Sequence, residues 1–156
     1  MKILDSIFGK KRKITDEFFG EIVSQRIKKE SPNKEYTWYL DYLMSNGKEE
    51  TQIILEGNFK TPNINQLEEL KNVITNLPDL YTKMDSEVQK INLNKPSEKK
   101  LIVNKWHDEY YLSAVFPLEG QKPQFEICFD PIDDDNENLE YISFEYVNGK
   151  IKNMKF

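Results

Sequence analysis

The chain has 156 residues, of which 38% are hydrophobic, 12% aromatic and 31% charged, with a formal net charge of -5. At this length one domain buries roughly 70% of its unfolded surface, and so much apolar and aromatic content excludes a disordered chain. A single cysteine, Cys128, and a single histidine, His107, exclude an intrachain disulfide, a multi-cysteine zinc site and any centre that needs two imidazoles.

Residues 1–13 carry Ile3, Leu4, Ile7 and Phe8 ahead of Lys10, Lys11, Arg12 and Lys13. Basic residues follow the apolar ones rather than precede them, the reverse of a secretory signal. We read a short basic amphipathic segment, and residues 14–156 as one domain. No strictly apolar run exceeds three residues, against the 18 or more that a membrane span needs. The expected location is cytoplasmic. The basic segment has the composition for weak peripheral contact with an anionic membrane surface.

Beyond this segment, residues 20–27 give a strand signal through Ile22 and Val23, after Phe18 and Phe19. A much stronger one covers residues 36–44, where a period of two puts Tyr36, Trp38, Leu40, Tyr42 and Met44 on one face. Ser31, Pro32 and Asn33 mark a turn before it. Ser45, Asn46, Gly47 and Lys48 reverse the chain after it, so that residues 51–56 pair back as a hairpin. Thr61 and Pro62 read as the N-cap and first position of a helix. Its stripe is Ile64, Leu67, Leu70, Val73, Ile74 and Leu77, and Pro78 ends it or begins the next. Leu80, Met84, Val88 and Ile91 repeat the helical period.

Residues 92–100 are polar and read as a loop, and residues 101–110 are open between strand and short helix. Residues 112–118, 124–129, 141–147 and 151–156 then read as strands, with Asn148 and Gly149 turning the last hairpin. The order is an N-terminal antiparallel meander, two amphipathic helices, then C-terminal antiparallel strands. It predicts an α+β fold with a single layer of helices on the sheet, because a parallel sheet needs strands and helices to alternate.

Charge is unevenly placed. Between Pro123 and Gly149 stand eight acids (Glu126, Asp130, Asp133, Asp134, Asp135, Glu137, Glu140 and Glu145) and no Lys or Arg. Nucleic-acid binding needs clustered cations, and the chain's basic cluster is confined to its start, so nucleic acid is not an expected partner. The run beginning at Asp130 is instead the expected contact for a basic protein, through Asp130, Asp133, Asp134, Asp135 and Glu137. As a calcium loop it fails. Asp134, Asn136, Asn138 and Glu145 fall at ligand spacing, but Leu139 occupies the position where the sharp turn requires glycine.

Catalytic chemistry finds little support. Cys128 shares its side of a strand with Glu126, opposite Phe125, Ile127 and Phe129, as a structural thiol would. His107 has Asp108 as a neighbour that would orient it, and a Cys–His pair requires that the two meet in space. No Walker loop, dinucleotide fingerprint or nucleophile elbow occurs. Neither an enzyme, nor a cofactor, nor a metal is expected.

The segment Phe18-Phe19-Gly20-Glu21-Ile22, the aromatic strand and hairpin ahead of the helix at 67–77, and Phe125 to Asp130 before the closing hairpin together resemble small uncharacterised bacterial domains that include toxin-immunity proteins. The resemblance spans about residues 18–150 and rests on element order. It implies a cytoplasmic protein that needs no cofactor and neutralises a cognate toxin by covering its active site. It carries no individual functional residue over to this chain. The alternative expectation is an interaction or structural domain with no toxin partner.

Overall fold

The computed structural model describes residues 8–44, 49–133 and 140–156. Four strands open the fold: β1 (Lys13–Asp16), β2 (Gly20–Ser24), β3 (Tyr36–Leu43) and β4 (Glu50–Gly57). Two helices follow, α1 (Ile64–Thr75) and α2 (Leu77–Asn92), then β5 (Tyr110–Pro117), β6 (Phe125–Pro131), β7 (Ile142–Val147) and β8 (Lys150–Lys155). All eight strands lie in one sheet in sequence order. The class is α+β, with the sheet dominant.

The two meanders are antiparallel throughout but meet in a parallel pair, β4 with β5, where Gln52 lies beside Ala114 and Ile53 beside Val115. This junction departs from the purely antiparallel expectation. A chain leaving β4 must travel back along the sheet before it can pair in parallel, which takes a crossover of a dozen residues or more. The two helices are that crossover.

β1 was absent from the sequence reading. It is a short edge strand paired from Lys13 opposite Val23 to Asp16 opposite Gly20, and four residues with two charges carry no periodic signal. Asp16 forms the turn that creates the pair, its Oδ1 accepting from the amides of Phe18 at 2.9 Å and Phe19 at 3.0 Å. Lys10 is bridged to Ile27, and Lys13 opens β1, so the end of the basic segment is tied to the sheet edge. Residues 1–7 of that segment, and the turn at 45–48, lie outside the described residues.

The α1 start also differs from the expectation. Asn63, not Thr61, is the N-cap, its Oδ1 accepting from Asn65 N at 3.0 Å and Gln66 N at 3.2 Å. Pro62 instead sits in an extended bridge with Gly57. Asn58 N donates to Thr61 O and Asn63 N donates to Glu56 O, so the backbone bonds fall on either side of the imide that lacks a donor. Only glycine fits at position 57, because a Cβ there would lie 2.4 Å from Thr61 O. Pro78 stands in the first turn of α2, just after the break at Asn76.

Residues 101–109 form neither strand nor α-helix but a loop with a 3-10 turn at Trp106–Asp108. Asp85 on α2 clamps this loop by accepting from Trp106 Nε1 at 2.9 Å and from Asn104 N at 3.0 Å. These contacts are long range, which explains why local pattern left the segment open. The closing turn is as expected, with Asn148 at φ 53° and Gly149 at φ 74°, the pair of positive angles that a type I′ hairpin requires.

Alternation divides the sheet into two faces. Trp38, Leu40, Ile53, Leu55, Val115, Ile127, Phe129 and Phe144 are buried on one, in a single cluster with Leu67, Leu70, Val73, Leu80, Met84 and Val88 of the helices. α1 packs beside β4 and α2 beside β8. This is the core face. The intervening residues form the other face, which we call open.

Candidate functional site

Among the described acids between Pro123 and Gly149, Glu126, Asp130 and Glu145 stand on the open face. In β6, Phe125, Ile127 and Phe129 point into the core, while Glu126, Cys128 and Asp130 alternate with them on the other side. The register sets Glu126 directly opposite Glu145 of β7, although like charges at paired positions destabilise a sheet. Among the described residues neither carboxylate has an ion-pair partner. Asp130 lies opposite Tyr111 of β5, and Asp133 is exposed just beyond the strand. The register therefore brings together Glu126 and Glu145, while Asp130 stands on the same face four residues further along β6, with Asp133 just beyond the end of that strand. Asp134, Asp135 and Glu137 of the expected contact lie outside the described residues, as do Asn136, Asn138 and Leu139 of the calcium spacing.

Glu140 behaves differently from the rest. Lys99 holds it at 2.6 Å, and the hydrogen bond from that ammonium, reinforced by its charge, lowers the carboxyl pKa. Its backbone carbonyl accepts from the Tyr110 hydroxyl at 3.0 Å. It serves to pin the 92–100 loop to the start of β7.

The five central strands, β3 to β7, contain no Lys or Arg at all. On the open face, cations stand only in the outer strands, with Lys13 on β1 held by Glu21 at 2.8 Å and Lys152 and Lys155 on β8 opposite Glu145 and Ser143. One row crosses the whole sheet. Val23 is opposite Tyr39, and Tyr39 opposite Ile54. The parallel pair carries the row from Ile54 to Phe116, one residue beyond Ile53 and Val115. Phe116 is opposite Glu126, Glu126 opposite Glu145, and Glu145 opposite Lys152. Four successive positions of this row are apolar, the next two are acidic, and Lys152 ends it. Tyr39 is 43% exposed, and Val23, Ile54 and Phe116 are half-buried.

Sequence reasoning missed the apolar half of this row. The available signal was in residues 36–44, where Tyr39 and Leu43 occupy positions that a half-buried strand gives to polar residues.

Cys128 is half-buried on the open face, and burial, with the charges of Glu126 and Asp130, pushes its thiol up to about 11. A thiol so raised is protonated at neutral pH and a poor nucleophile. His107 is on the other side of β6. Its ring stacks on Tyr81 at 5.2 Å, Tyr81 meets Phe129 at 6.0 Å, and Phe129 points to the core face. His107 Nδ1 lies 3.3 Å from Asp108 Oδ1. Strand β6 thus separates thiol from imidazole. Among the described residues no group of three or more His, Cys, Asp or Glu is arranged to hold a metal ion.

A polar cleft of about 600 Å³ lies at the start of α1, between Lys34, Glu35, Asn58, Asn63, Asn65 and Gln121. Its amides serve the fold. Asn58 Oδ1 accepts from the amides of Lys60 and Thr61, Asn63 caps the helix, and Asn63 Nδ2 donates to Gln121 O at 2.8 Å. Behind it, buried Gln66 donates to Glu56 Oε2 and accepts from Glu56 N. The cleft is a product of this bracing, which leaves the open face as the candidate site. No described helix is long and apolar enough to cross a membrane. Family models, curated proteins and solved structures offer no match to this chain.

Proposed function

We propose that this chain is a protein-binding module, most specifically a cytoplasmic immunity protein that neutralises a cognate basic toxin, such as a nuclease, by occluding it. On this reading the two helices form one layer over the core face and leave the opposite face for the partner. The observation that carries the proposal is the absence of Lys and Arg from the five central strands, combined with Glu126 set against Glu145. The like-charge pair costs the free protein up to roughly 1 kcal/mol, and a cationic partner surface would offset that cost on binding. Complementary charge also speeds diffusional encounter. The function needs no cofactor and no catalytic group of this chain, and Asp130 and Asp133 would lie at the margin of the contact.

The test is capture from the native host, followed by expression of the captured protein alone and together with this chain. The expected result is a partner that arrests growth alone and is harmless in the presence of this chain. A captured partner that is harmless by itself would replace the toxin reading with that of an interaction domain. Failure to capture any basic protein would remove the binding-module reading.

A further inference from the structure

The row that crosses the open face changes character at its middle. Val23, Tyr39, Ile54 and Phe116 present apolar surface, and Glu126 and Glu145 continue the same line with carboxylates. At about 4.8 Å between strands, four apolar positions extend roughly 14 Å and the two acids about 10 Å further. Resting on the protein-binding reading above, we infer that the open face itself is the docking surface, and that its occupant is a partner protein presenting an apolar patch bordered on one side by Lys or Arg. The apolar patch seats on Tyr39, Ile54 and Phe116, and the cations seat on Glu126 and Glu145.

Charge chooses this occupant over a second copy of the chain. Aligned packing is one of the two ways in which sheets stack face to face. With the two-fold axis across the strands, β6 and β7 lie on β6 and β7, and Glu126 and Glu145 meet their own copies. With the axis along the strands through the sheet centre, the row lies on itself reversed, β6 and β7 on β3 and β2, which sets Glu126 on Tyr39 and Glu145 on Val23. The first arrangement sets acid on acid and the second covers the carboxylates with apolar side chains, and in neither does a central strand supply a Lys or Arg to pair with them. Strand addition at the β8 edge is also disfavoured. β8 carries Lys150, Lys152 and Lys155, and it is interrupted by a bulge where Asn153 adopts φ 52°, two devices that block edge pairing.

The experiment combines a chemical probe with the captured partner. An 18-residue peptide with a leucine stripe followed by four lysines is titrated into the isotopically labelled protein and followed by amide chemical shifts. The expected shifts centre on Tyr39, Ile54, Phe116, Glu126 and Glu145. A peptide with glutamates for the lysines, and one with serines for the leucines, should each bind at least tenfold more weakly. Tyr39→Lys and Glu126→Lys should each weaken the first peptide at least tenfold with unchanged melting, while Leu93→Lys, away from the sheet, should not. Equal binding of the serine peptide, or shifts centred elsewhere, would overturn the inference. So would a dimer in sedimentation that Tyr39→Lys dissolves. With the captured protein, retention by both Tyr39→Lys and Glu126→Lys would place its interface elsewhere and sink the inference while leaving the protein-binding reading standing. Loss of that partner in both variants, with retention by Leu93→Lys, would support both.

Discussion

The two faces of one sheet follow opposite rules. On the core face nearly every second residue from β3 to β7 is apolar and inaccessible, with Trp38, Leu55, Ile127 and Phe129 at 0% exposure and buried Thr51 satisfied by Leu112 O. On the open face the same strands carry Tyr39, Ile54 and Phe116 beside Asp41, Glu126 and Glu145. The core face is optimised for burial, since each large side chain there contributes about 1.5–3 kcal/mol. The open face keeps an unfavourable carboxylate pair and half-exposed rings. Stability explains the first face and not the second, which is why the second is the one to which we assign a partner.

The widest separation between the faces should come from charge insertion. Leu70→Asp places an unpaired carboxylate in the core and should cost about 4 kcal/mol or more, whereas Tyr39→Lys on the open face should stay within about 1 kcal/mol of the parent. Thermal melts followed by circular dichroism measure both, and equal melting of Leu70→Asp and the parent would dissolve the distinction.

The loop that closes one end of the core face gives the next largest effect. Asp85→Ala would leave Trp106 Nε1 and Asn104 N without their acceptor, which should cost about 2–3 kcal/mol in urea unfolding. Asp85→Asn keeps an acceptor and should cost less than half as much.

A third test uses pH. Burial raises the Asp16 carboxyl, but the hydrogen bonds from Lys71 and from the amides of Phe19 and Phe18 outweigh it, and the pKa is lowered. A lowered folded pKa contributes stability that is fully present above the unfolded value and is lost as pH falls through the folded one. Asp16→Asn should therefore be less stable than the parent at neutral pH, by about 1 kcal/mol, and the difference should shrink below about pH 4. A constant difference down to pH 2 would assign the effect to the turn alone.

The smallest expected effect has the opposite sign. Glu126→Gln removes the like-charge neighbour of Glu145 while leaving Glu145 opposite Lys152, and it should stabilise the free protein by a few tenths of a kcal/mol at low ionic strength, an advantage that screening by salt should erode. A loss of stability would show that the pair is not repulsive and would weaken the contrast between the faces.

Much of the fold was legible from local pattern. The alternation from Tyr36 to Met44, the helical spacing of Leu67, Leu70, Val73 and Ile74, and the Asn148–Gly149 turn each express a backbone geometry in residues close in sequence. Short or unpatterned segments were not legible. β1 is held by its pairing with β2, the α1 start by the bridge between Gly57 and Pro62, and the loop at 101–109 by Asp85 from the middle of α2. Of the candidate site, composition disclosed the acids but not their arrangement.

The sequence by itself determined the element types, the class and the acidity of the C-terminal half, because periodicity, turn chemistry and charge are properties of neighbouring residues. Only the tertiary structure decided that the two meanders join through a parallel β4–β5 pair, and hence that Tyr39, Ile54, Phe116, Glu126 and Glu145, spread over 107 positions from the first to the last, fall into one line. Strand register is set by which side chains the core accepts, and the open-face partners of each residue follow from a choice made on the opposite side of the sheet.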